Sequence, residues 1–179
     1  EVNGGIRARG GAPGPFGAND NGYAFSGGNG DDDGGMFSSA NGQLELYTNA
    51  VERVRVDGGG NVGIGTTSPD NKLHVMKGSA GAVTGYASAP LVVENSTHAY
   101  INLLTPDANE RGMLFGSPTA GATAGGIIYN ASATLDGFQF RTNGNSTKMV
   151  INASGGVGIG TTTPVNKLDV EGGAAIGAT

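Results

Sequence analysis

One phrase occurs twice in this chain: NVGIGTTSPDNKLHV at residues 61–75 returns as GVGIGTTTPVNKLDV at 156–170. Gly63 to Gly158 and Leu73 to Leu168 share one offset of 95 residues, so no gap separates the copies. The repeat preserves glycines, a central isoleucine, a Thr-Thr-X-Pro turn and a Lys-Leu-X-Val run. Such residues set the path of a backbone. They offer almost nothing for acid–base or nucleophilic work, which points to an architectural role.

Composition explains why architecture is demanding here. The 179 residues include 35 glycines, against ~7% in an average protein. Leu, Ile, Val and Phe total 36, near the one-fifth below which chains tend to stay disordered. A net charge of only −5, with many β-branched residues, still argues for order. Glycine loses the most backbone entropy on folding, so association is the simplest way to supply the missing core. Cysteine is absent, which excludes disulfides and thiol chemistry. No apolar run approaches a membrane span. With 10 Lys and Arg against 15 Asp and Glu, no basic face for nucleic acid is expected. The chain starts at Glu1 with neither secretory signal nor initiating methionine, and reads as part of a longer polypeptide.

The periodicity predicts an all-β chain of short strands. No window carries helical apolar spacing free of glycine or proline, while Asn-Gly and Asp-Gly pairs recur between short apolar runs. Residues 43–47 and 51–56 read as a hairpin, with Leu44 and Leu46 on one face and Val54 and Val56 beside them. Glu45, Glu52, Arg53 and Arg55 are then free to meet solvent or each other. Residues 137–141 and 148–151 repeat this hairpin, with Phe138 and Phe140 in place of Leu44 and Leu46. The repeated unit therefore covers roughly 43–75 and 137–170. Further strands are expected at 91–94, 99–104, 111–115 and 126–129, a weak one at 23–25, and a connector at 77–90. Two repeats follow, 1–76 and 77–179.

Within Val62-Gly63-Ile64-Gly65 the two apolar side chains face one way and the glycines the other. Bare glycines in a strand suggest that another backbone passes close by, as when identical strands wrap a common axis. Proline at 69 turns the chain, and Leu73 and Val75 leave as inward residues of the next strand. The phrase resembles the shaft and collar modules of bacteriophage tail fibres and tailspikes, where GNVGIGTTXP followed by KLXV recurs, often near a self-cleaving chaperone domain. That resemblance implies an elongated, intertwined homotrimer carried on the virion, outside the cell. It further implies partnership with other tail proteins and with a host surface glycan or protein receptor. Val62, Ile64, Leu73, Val75, Val157, Ile159, Leu168 and Val170 are the expected trimer core. A bacterial surface adhesin with the same module and, less favoured, a polysaccharide-degrading tailspike are the alternatives.

Other candidate sites read as ordinary surface. Gly63-Ile64-Gly65 lacks the following helix that a phosphate loop needs. Asp31, Asp32 and Asp33 form half an ion loop without its closing acid. His74 and His98 have no partner at ligand spacing, and His74 is expected to point outward into solvent. Glu94, Asp107 and Glu110 invite a glycosidase reading, but in a weakly charged chain nearby acids are more often loop surface. No metal, cofactor or catalytic group is expected. Phe16, Tyr23 and Phe25 are the best candidates for touching a receptor, because flat aromatic rings suit sugars and proteins alike.

Overall fold

The computed structural model of the chain describes residues 23–24, 34–131, 134–174 and 177. Contacts divide the chain into two units, Glu1–Ile101 and Asn102–Thr179. Each holds one sheet, and no helix occurs among the described residues. The first sheet runs in chain order through β1 (Tyr23–Ala24), β2 (Gly35–Phe37), β3 (Leu44–Thr48), β4 (Val51–Val56), β5 (Val62–Ile64), β6 (Leu73–Met76) and β7 (Leu91–Glu94). The second runs through β8 (Arg111–Ser117), β9 (Gly121–Ala131), β10 (Thr134–Thr142), β11 (Ser146–Ile151), β12 (Val157–Ile159) and β13 (Leu168–Val170). The all-β expectation therefore holds.

Neighbouring strands are antiparallel except at three steps. β5–β6, β6–β7 and β12–β13 are parallel. Hairpin turns sit where the turn residues predict them. Thr48 pairs with Val51 across Asn49 and Ala50, both at positive φ (56° and 55°), the two-residue turn whose twist matches the strands. Thr142 pairs with Ser146 across Asn143, Gly144 and Asn145, again all at positive φ.

Both repeats carry the same bulge. Leu46 pairs with Val54 but Tyr47 with Glu52, leaving Arg53 outside the ladder, and Phe140 pairs with Met149 but Arg141 with Thr147, leaving Lys148 outside. The two stranded carbonyls have the same use. Gly65 N–H donates to Arg53 O (2.9 Å) and Gly160 N–H to Lys148 O (3.0 Å), which sets where each glycine phrase leaves its sheet.

Two expectations need correction. Residues 99–104 form no strand: they are exposed, with no ladder partner among the described residues. The first unit also continues to Ile101 rather than ending at residue 76. The reason is β7, which pairs with β6 in register Leu73↔Leu91 to Met76↔Glu94 and so draws the connector 77–90 into the first sheet.

Among the described residues Ala50 is the one turn residue with a Cβ held at left-handed φ and no side-chain hydrogen-bonding group. Ala50→Gly is expected to raise stability by about 0.5 kcal/mol, read as a higher denaturant midpoint with an unchanged slope.

Candidate functional site

The pleat sorts each sheet into two unlike faces. On one face of the first sheet a row crosses the strands through Met36, Leu46, Val54, Ile64, Val75 and Val93. A second row beside it contains Leu44, Val56, Val62, Leu73 and Leu91. The second sheet repeats the pattern, with Met113, Ile127, Phe140, Met149, Ile159 and Val170 in one row. Tyr129, Phe138, Ile151, Val157 and Leu168 form the other. All eight residues expected in a shared core thus lie on these apolar faces. None is buried by its own chain: Ile64 is 41% and Leu168 57% exposed.

The opposite faces are the covered ones, and in the first unit that face is polar. Glu45 is 0% and His74 2% exposed, alongside Phe37, Arg55 and Gly63. Over Gly63 and Gly158 the cover is the chain's own crossover. Residues 65–72 link β5 to its parallel neighbour β6 in less than the dozen or so residues such a connection ordinarily needs, so they must lie flat on the sheet. A Cβ placed on Gly63 would sit 2.6 Å from Thr66 O, and one on Gly158 2.5 Å from Thr161 O. Gly65 and Gly160 turn the chain at φ of +76° and +80°. The close backbone that these glycines accommodate therefore belongs to the same chain, which corrects the expectation that it comes from a neighbouring copy.

The recurrent threonine and lysine of the phrase act on this crossover. Thr66 and Thr161 hydroxyls accept the N–H of Ser68 (3.1 Å) and Thr163 (3.2 Å). The ammonium groups of Lys72 and Lys167 donate to Gly59 O (2.9 Å) and Ser154 O (2.6 Å), tying the crossover to the preceding turn. That turn is closed by a side-chain acceptor in each copy. Asp57 takes the N–H groups of Gly59 and Asn61, and Asn152 that of Gly156. Those bonds, Asn61's foremost, hold the Asp57 carboxyl below its usual range.

His74 is where the outward expectation fails most clearly. Its Nδ1 accepts the Asp70 N–H (3.3 Å), so Nε2 carries the proton and donates to Glu94 Oε2 (2.9 Å). In the second copy Asp169 Oδ2 accepts the Val165 N–H (3.0 Å). Histidine and aspartate thus hold the same position because both supply an acceptor to the residue after the proline. Glu94 also takes the Ala80 N–H, the largest influence holding its carboxyl below the ordinary range. Neither connection was visible in sequence, since Glu94 lies far from His74 along the chain.

Glu45 and Arg55 meet each other rather than solvent. Arg55 bridges Glu45 (3.2 Å) and Glu52 (2.7 Å), and the Tyr47 hydroxyl donates toward both carboxylates. Burial first, then the Glu45 charge, pushes Tyr47 up to about 12. The second copy replaces the cluster with Gln139, accepting from Arg141 and Thr147, above a fully buried Val150. The covered face changes its chemistry between copies, while the open face stays apolar.

The remaining candidates have partners of their own. Glu94 is engaged with His74 in the first unit, and Glu110 pairs with Arg141 (2.7 Å) in the second. His98 stacks on Tyr100. Phe16, Phe25 and Asp31 to Asp33 lie outside the described residues, as does the Tyr23 side chain; the Tyr23 backbone pairs with Met36. No protein-family model matches the chain, and no curated protein is detectably similar to it.

Two outcomes follow from this geometry. Gly63→Ala and Gly158→Ala are each expected to cost about 2 kcal/mol, because the obstacle is a backbone oxygen that cannot swing aside; chemical denaturation measures it. Tyr47 titrates higher folded than unfolded, so its share of stability is intact below pH 10 and is lost as pH rises through about 12. Tyr47→Phe is expected to flatten the alkaline arm of the stability profile over that window.

Proposed function

We propose that this chain is a structural segment of a bacteriophage tail fibre or similar virion appendage. Three copies pool their apolar faces into an elongated all-β rod that supports or carries recognition of a host surface glycan or protein, alongside other tail proteins. One observation supports the reading above the rest: each sheet lays its own crossover on one face, over Gly63 or Gly158, and leaves ordered apolar rows open on the other. Side chains buried on the described part of the chain are few, with Phe37, Ile128, Ala131 and Val150 the fully enclosed apolar ones. Covering a Leu or Ile now about 40% exposed is worth on the order of 1 kcal/mol. Rows of such residues make association the main source of cohesion. The role is mechanical, and no side chain is assigned to chemistry.

Native mass measurement at micromolar concentration tests the assembly. Three subunits are expected, and a stable monomer overturns the reading. Ile64→Lys and Ile159→Lys each place a charge in the middle of an apolar row and are expected to dissociate the trimer, whereas Thr67→Lys, off that face, leaves it intact. Antibody labelling of particle tails in electron micrographs tests the location; label confined to bacterial surfaces overturns it.

A further inference from the structure

The strand expected at 99–104 is unpaired, yet its sequence remains that of a strand with two apolar faces. Tyr100 (80% exposed) and Leu104 (82%) alternate with Ile101 and Leu103, themselves exposed. A strand apolar on both sides is ordinarily one buried on both sides. Its backbone has no hydrogen-bond partner among the described residues.

A matching vacancy lies at the end of the second sheet. Among the described residues β8 is a terminal strand, paired only with β9, and is the longest free edge of the two sheets. It exposes apolar side chains to both faces, Met113 and Phe115 to one and Leu114 to the other. No lysine or proline interrupts it from Arg111 to Ser117. Such an edge is a template for another strand.

Residues 102–105 of the chain's own segment form no ladder with that edge. Asn130 Nδ2 donates to Asp107 O and Asn109 O, and Arg111 donates to the Thr105 hydroxyl (3.0 Å), pinning the loop between segment and strand. Residues 102–105 consequently pass over the Gly112, Leu114 and Ile128 side of the sheet, leaving a cleft of about 560 Å3 beneath them.

We propose that residues 99–104 of one copy add as a strand to the β8 edge of a second copy of this chain. Repeated around three copies, this head-to-tail pairing closes a ring and leaves no β8 edge free. It rests on the trimer reading and deepens it, since face packing alone does not require any strand to change partner.

The absence of native cysteine makes the test direct. Chains carrying one cysteine at position 100, 102 or 104 are co-assembled with chains carrying one at 113, 115 or 117, then mildly oxidised. A disulfide-linked dimer from a 99–104 chain and a β8 chain is expected, because paired strands bring Cα atoms within bridging distance. Trimers that give no such cross-link in any combination overturn the pairing while leaving the trimer reading standing. A cross-link that forms only when both cysteines are on one chain also overturns it, showing that the segment pairs with its own edge. Monomers overturn both. Leu104→Glu, which lies off the apolar rows, supplies a second readout: loss of the cross-link and a lower dissociation temperature support the pairing, and an unchanged trimer counts against it.

Discussion

Two parallel strands joined by a connection too short for a helix leave the chain a single route, flat across the face of its own sheet. Everything distinctive in the repeated phrase follows from that route. The carbonyl of Thr66 lies where a side chain on Gly63 would stand, and Thr161 does the same over Gly158. The Lys72 and Lys167 ammonium groups and the acceptors at positions 74 and 169 hold the crossover down. With one face occupied in this way, the aliphatic side chains have only the other face to take.

This arrangement reverses the usual economy of a sheet, in which apolar residues are enclosed and charged ones meet water. Here the Glu45–Arg55–Glu52 cluster is enclosed and Ile64 is left open. An enclosed ion cluster contributes little net stability once its desolvation is counted. The second copy encloses Gln139 and Val150 instead, with Arg141 the charged group bonded to Gln139. The aliphatic rows are left uncovered by the chain itself, and covering them is the source of cohesion that the proposed assembly draws on.

The alternation of Leu44, Leu46, Val54 and Val56, the turns at Asn49 and Asn143, and the common face of Val62, Ile64, Leu73 and Val75 were all legible as period-two pattern and turn chemistry. So was the extent of the repeat. The direction of the bare glycines was legible too, but not what lies against them, because a sequence shows that a backbone comes near without saying whose. His74 was misread for a related reason. Alternation put it correctly on the face opposite Leu73 and Val75, and solvent was then assumed on that side. The crossover that hides it, and the Glu94 that meets it, come from elsewhere in the chain. Residues 99–104 have every local mark of a strand and lack only a neighbour, which local pattern does not provide.

The bond between Asp70 and His74, matched by Val165 and Asp169, closes each crossover on itself, with both ends anchored inside the same short block. Part of what lies between one block and the next, β8 and its flanking loops among it, takes no share in that closure. Loops can lengthen there, or a strand such as β8 be appended, without disturbing the closed parts. A gene encoding such a polymer could diversify by exchanging cassettes between constant clasps, and variation would gather in the intervening stretches while the clasps kept their spelling.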